Sequence, residues 1–156
     1  MATATELAHD RAGHAVALCN LDIDFEYVTI ESDAFPHVAT DTGDEVYTEG
    51  EIVARYAGPI AQRKYCPRGC WYKDNAVDFA TAEEMLDEVA DADAQCRRLH
   101  KRLLWRRAEV LVYLHWADIQ AVAQALLDRQ RLSHSEVTQA INRANAVQVW
   151  SYDATI

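Results

Sequence analysis

Asp10 and His14 stand four residues apart in a stretch reading Ala8-His9-Asp10-Arg11-Ala12-Gly13-His14-Ala15-Val16. Four residues make about one helical turn, so the carboxylate and the imidazole leave one face of a helix toward a common point. Both are divalent-metal ligands. Their spacing is that of H-E-x-x-H, in which two imidazoles hold zinc and the Glu takes a proton from the bound water. Here Asp10 stands at the first imidazole's position and Arg11 at the Glu's. A guanidinium stays protonated at any workable pH, so Arg11 cannot serve as a general base, and beside a metal it repels the ion. Losing the base alone removes roughly 10²–10⁴-fold in rate. Asp10 can in principle bind a cation, but its side chain is shorter than an imidazole, which leaves its reach to a shared metal open.

The helix carrying this pair is expected over residues 6–19, with Leu7, Arg11, His14 and Leu18 near one stripe and Ala8, Ala12 and Ala15 beside it. Residues 25–31 alternate and contain Tyr27 and Val28-Thr29-Ile30, the pattern of a strand, with residues 38–40 as its expected partner. A second helix is expected over 49–64. It contains Gly58-Pro59, and an interior proline costs about 3 kcal/mol or more, so a break or kink is expected there. Residues 65–73 read as loop, and a helix follows from about 74 to 90. The longest periodic run, 91–116, carries an apolar stripe of Leu99, Leu103, Leu104, Ala108, Leu111 and Val112. Another helix is expected over 118–131. Ser133-His134-Ser135-Glu136 fits a capping box opening a short helix through Val137 and Ile141. The tail, 142–156, alternates Val147 and Val149 with Trp150 and Tyr152, a short strand or a docked extension. The expected class is mainly α, with one small early β element.

The 156 residues suit a single domain over 1–156 with a real core. A net charge of −10 argues against nucleic acid or an anionic membrane as main partner. No run approaches the roughly 20 apolar residues of a membrane span. The first residues lack a basic region followed by an apolar one, so no signal peptide is expected, and a cytoplasmic location follows as an expectation. Cys19, Cys66, Cys70 and Cys96 are then free thiols. No G-x-x-x-x-G-K-[ST] phosphate loop is present, so ATP is not an expected ligand.

Taken in order, these pieces resemble the peptidase domain of the FtsH-type ATP-dependent zinc metallopeptidases, and more closely its short stand-alone relatives. The opening helix of that domain reads roughly A-Y-H-E-A-G-H-A-V, against Ala8 to Val16 here. A strand similar to Val28-Thr29-Ile30 follows, then a helix with a small-residue segment, matched by Ala54-Arg55-Tyr56-Ala57-Gly58-Pro59-Ile60-Ala61. Asn75-Ala76-Val77-Asp78 resembles the stretch that bears the third zinc ligand, with Ala82 at a matching offset. Later helices resemble Leu103-Leu104 through Arg107, Ile119 to Leu127, and Leu132 to Val137, so the likeness runs over roughly residues 5–141.

The resemblance implies an FtsH-peptidase-like helical domain in which His14 is the second histidine ligand and Asp78 the carboxylate ligand. With Asp10 in the missing ligand's place, the set becomes one imidazole and two carboxylates, which shifts preference from tight zinc toward harder or less selective divalent metals. Arg11 paired with Asp10 or Asp78 would put an ion pair where a metal would sit. The expectation is a catalytically inactive relative, holding no cofactor, that binds another protein. The alternative is a metal-dependent peptidase using Asp10, His14 and Asp78. A lone histidine on a helix face is more often a hydrogen-bonded core or surface residue than a ligand, and Asp78 near a helix start can simply answer the helix dipole.

Other constellations read more plainly. Cys66-Pro67-Arg68-Gly69-Cys70 with Cys96 and His100 has spacings that a Cys₃His zinc site tolerates, but ordinary free cysteines are the favoured reading. Arg97, Arg98, Lys101, Arg102, Arg106 and Arg107 form a basic run that could contact a phosphate or an acidic partner, but reads first as a solvated helix face answering Glu83, Glu84, Asp87, Glu88, Asp91 and Asp93 upstream. Trp71-Tyr72 is the favoured exposed binding patch.

Overall fold

A computed structural model describes residues 1–32, 35–36, 48–90 and 92–153, with backbone alone for 148–153. Among these residues the chain forms seven helices and two short strands: α1 (Ala4–Asn20), β1 (Tyr27–Thr29), α2 (Glu49–Tyr65), α3 (Trp71–Asp74), α4 (Ala76–Val89), α5 (Ala94–Leu114), α6 (Trp116–Arg129), β2 (Arg131–Ser133) and α7 (His134–Asp153). The class is mainly α with a small antiparallel sheet.

α1 is the central element. A capping box opens it: the Thr3 hydroxyl accepts from the Glu6 amide and Glu6 accepts from the Thr3 amide. From Ala8 to Leu18 every residue is buried, so this helix is enclosed rather than laid on a surface. α2 packs along it, and small side chains permit the approach. A Cβ on Gly13 would stand 2.7 Å from the Ala57 carbonyl oxygen and 2.8 Å from the Ala61 Cβ, so only glycine fits at this crossing. Ala54, Ala57 and Ala61 complete the small-residue face of α2.

Several expectations are corrected. α2 runs through Pro59 without a break. Proline removes the donor to the Arg55 carbonyl. Burial of Val53, Ala54, Tyr56, Ala57, Ile60 and Ala61 around it holds the helix together. The end of the stretch 65–73, expected as loop, joins Asp74 in the short α3, Trp71–Asp74. The run expected to be continuous to residue 116 breaks at His115, and α5 meets α6 at a bend of 77°. Leu104, Ala108 and Val112 of the expected stripe are buried, whereas Leu99 and Leu103 lie on the outer face of α5. Residues 142–153 are helix and not a strand: α7 continues to Asp153.

The partner of β1 is β2, with Val28 opposite Leu132 and Tyr27 opposite Ser133. Val28 and Leu132 turn inward, which is what pins the register. The suggested partner at 38–40 lies outside the described residues. The capping box at Ser133 forms as its sequence requires: the Ser133 hydroxyl accepts from the Glu136 amide, and Glu136 accepts from the Ser133 amide.

Candidate metal and charge centre

The crossing of α1 over α2, met by the first turn of α4, brings together Asp10, Arg11, His14, Arg55 and Asp78. His14 has no solvent exposure, and Asp10 and Arg11 are buried almost as completely. Asp78 sits in the first turn of α4, where its charge also favours the helix dipole. A buried amide network sets the start of that helix: Asn75 donates to the Gln62 carbonyl oxygen at 2.6 Å and to the Trp71 backbone carbonyl at 2.7 Å.

The imidazole of His14 is held from behind. Its Nδ1 donates to the Ala54 carbonyl at 2.8 Å, which directs Nε2 forward between the two carboxylates. Nε2 lies 3.4 Å from Asp78 Oδ2 and 3.6 Å from Asp10 Oδ2, without hydrogen-bond geometry to either. Burial opposes a charged imidazole here, but the Asp10 and Asp78 carboxylates outweigh it and lift the His14 pKa to about 9. Asp78 is likewise penalised by burial, yet the His14, Arg55 and Arg11 charges hold its carboxyl below the ordinary range.

Gly58 makes the space. A Cβ there would fall 2.3 Å from both Cε1 and Nε2 of His14 and 2.8 Å from Asp10 Oδ1. Phe35 closes the other side, edge-on to the His14 ring with 4.8 Å between centroids.

Two arginines neutralise the carboxylates. Arg11 donates to Asp10 Oδ2 at 2.5 Å and reaches the Ser32 carbonyl at 3.4 Å. Arg55 donates to Asp78 Oδ1 at 3.1 Å and covers the Phe35 ring at 4.0 Å. The expected ion pair of Arg11 is thus with Asp10, its own chain neighbour. Each carboxylate keeps one oxygen off its arginine: Asp10 Oδ1, which has no hydrogen-bond partner, and Asp78 Oδ2, which faces His14.

This trio can hold a metal ion: one ligand atom from each of Asp10, His14 and Asp78 lies within 4.8 Å of the others. Metal bonds of about 2.1 Å in a tetrahedron put ligand atoms roughly 3.4 Å apart, close to the observed separations. Asp10, despite its shorter side chain, thus places an oxygen within 4.8 Å of the other two candidate ligand atoms. One turn of helix and the missing Cβ at Gly58 bring the carboxylate alongside the imidazole. Charge argues the other way. Two guanidiniums already balance two carboxylates and the charged His14 adds one positive charge, so a divalent cation would enter a buried site with no net negative charge to receive it. Arg11, three residues before His14 where H-E-x-x-H has its Glu, cannot take a proton from a bound water.

Arg55, Gly58 and the Ala54 carbonyl escaped sequence reasoning. The available signal was a single charged residue inside an otherwise small and apolar helical segment, Ala54 to Ala61. His9 does not join the centre: it stacks on Tyr65 at 3.9 Å, and its Nδ1 donates to the Thr5 carbonyl.

The cysteine constellation does not assemble. Cys66, Cys70 and Cys96 are free thiols, the Glu6 carboxylate beside Cys66 pushes that thiol's pKa up, and His100 pairs with Glu49 at 2.7 Å. The basic run of α5 is partly answered, as expected, by acidic neighbours: Arg97 bonds Glu83 at 2.8 Å and Asp87 at 2.7 Å, and Lys101 also pairs with Glu83. Trp71 and Tyr72 line an open groove of about 540 Å³ with Phe79 and Trp105, and the Arg63 guanidinium lies over the Trp71 and Trp105 rings. Among the described residues no single helix is long and apolar enough to cross a membrane. No family model matches the chain, and a search of curated proteins finds no significant match.

Proposed function

We propose that this chain is a catalytically silent relative of the FtsH-type zinc metallopeptidase domain that works by binding another protein. The observation that carries the reading is the buried Arg11–Asp10 pair, with the guanidinium where the general base would stand. A hydrolytic metal site needs a ligated water and a base to take its proton. In this chain the base position holds a cation, and the first ligand is occupied by that cation. What remains is a helical core whose buried carboxylates are paired with arginines and His14. Its spare chemistry is on its surface.

A second reading is favoured by the ligand spacing: a metal-dependent peptidase using Asp10, His14 and Asp78. When bound, a divalent ion there would polarise a carbonyl or a water. His14 and one oxygen from each aspartate would hold it, and Arg55 would orient Asp78. Arg11 would then act as an anion-stabilising group and not as a base.

Hydrolysis separates the two. Wild-type protein supplied with zinc, manganese or cobalt is incubated with an unfolded fluorogenic polypeptide, beside a His14→Ala control. The silent reading expects equal, background rates in both. Metal-dependent cleavage that disappears in His14→Ala establishes the second reading and ends the first.

A further inference from the structure

The outer face of α5 combines two properties that a solvated helix does not need together. Leu99, Leu103, Val110, Tyr113 and Leu114 are exposed, by 42% to 76%. At 100° per residue they fall within roughly a 100° arc, opposite buried Leu104, Ala108 and Val112. This is a second apolar stripe on a helix whose first stripe already faces the core. It runs about four turns, or roughly 22 Å.

Arginines border and interrupt that stripe. Arg98 and Arg102 flank one side, Arg107 the other, and Arg106 lies within it. Arg106 and Arg107 have acidic neighbours, Glu109 and Glu49, at 3.2 Å. Arg98 and Arg102 meet no acidic partner among the described residues. The stripe ends in a hollow of about 380 Å³ between α5, the end of α1 and the α5–α6 corner, walled by Val110, Leu111 and Leu114 with Arg106 and Arg107 at the rim. Such a hollow takes one apolar anchor side chain and sets cations beside it.

We infer that this face of α5 is a docking surface for an acidic amphipathic helix of a partner protein, with its apolar residues on the Leu99–Leu114 stripe and its carboxylates against the arginines. Charge selects this occupant. The chain carries −10 overall while this face is basic, so a second copy docked α5 to α5 would oppose arginine to arginine. An anionic bilayer would attract the stripe but repel the rest of the molecule. A helix in an apolar groove is read by anchors at i, i+3/i+4 and i+7, the spacing offered here.

This inference deepens the protein-binding reading and rests on it, but not on the state of the buried charge centre, so the assay leaves that centre out. The probe is a fluorescein-labelled synthetic helix of roughly 20 residues, with Leu at the a and d positions and Glu at e and g. Anisotropy is followed on the full chain. Saturable, micromolar binding is expected, weakening from about 50 to about 300 mM NaCl. Leu103→Glu and Arg102→Glu, both at exposed sites, should each weaken it by about tenfold or more with an unchanged melting temperature. A probe with Lys in place of Glu should not bind.

No saturable binding, or binding indifferent to Leu103→Glu and Arg102→Glu, overturns the inference. So does a wild-type dimer in sedimentation velocity that Leu103→Glu converts to monomer, which assigns the face to self-association. Sedimentation with phosphatidylserine vesicles that Leu103→Glu abolishes overturns it in favour of a lipid surface. Because cleavage assays report on the buried centre and anisotropy on α5, either proposal can fail while the other stands.

Discussion

Arg11→Met tests whether the guanidinium stands in for a metal. The substitution keeps an unbranched apolar stem and removes only the charge and its hydrogen bonds. Asp10 would be left about 1% exposed with its closest counter-charge gone. At 2.5 Å the attraction is about 7 kcal/mol at an effective dielectric of 20, most of it repaying desolvation. Stripping one partner from a buried pair costs about 3–5 kcal/mol. For a chain of this length that lowers the melting temperature by roughly 10 °C. Two companions discriminate. Asp10→Leu/Arg11→Met should recover much of the loss, because no charge is then stranded. Zinc at about 100 times its dissociation constant should return about 2.7 kcal/mol to Arg11→Met, since Asp10 is released to ligate, and much less to wild type. Calorimetry in chelator and in zinc measures all of this. A melting temperature for Arg11→Met within about 2 °C of wild type would refute the reasoning.

Three further outcomes follow from the same geometry. Gly58→Ala should destabilise by about 1–3 kcal/mol despite alanine's better helix propensity, because its Cβ would stand 2.3 Å from the His14 ring; urea titration checks this, and a stabilised variant contradicts it. His14 has a folded pKa raised to about 9 against about 6.5 unfolded, so its contribution, about 3 kcal/mol at most, is full below about pH 6.5 and is lost as pH rises toward 9. In chelator, the wild-type melting temperature should fall across that window, and His14→Ala should lack the slope. Exposed Cys70 and Cys96 should be alkylated readily near pH 8, while burial pushes the Cys19 thiol up to about 11 and leaves it the slowest to react; peptide mapping gives the order.

Local chemistry was the legible part of the sequence. The capping box at Ser133 and Glu136 and the first helix follow from short-range patterns and form as read. The spacing of Asp10 and His14 predicts one face, and α1 delivers it. What the sequence could not show lies in long-range pairings. β1 finds its partner about a hundred residues later, in three residues with no strand pattern of their own. Pro59 is tolerated because its surroundings are packed, a fact invisible to helix propensity. Leu99 and Leu103 look like core by periodicity, but α5 carries two apolar stripes, and only burial tells which faces inward. Arg55 is silent until α2 and α4 meet, and Gly58 is silent until a histidine from another helix fills the space it leaves.

Metal analysis tests the central claim most directly. Wild type, His14→Ala and Asp10→His/Arg11→Glu, purified without a metal-chelating tag, are equilibrated with zinc, desalted and measured by inductively coupled plasma mass spectrometry. Well under one zinc per chain is expected for wild type and His14→Ala, and about one for the double variant, which gains both a second imidazole and a carboxylate in place of the cation. About one zinc per wild-type chain, lost in His14→Ala, would contradict it: the arginines would then support a working metal centre and not replace one.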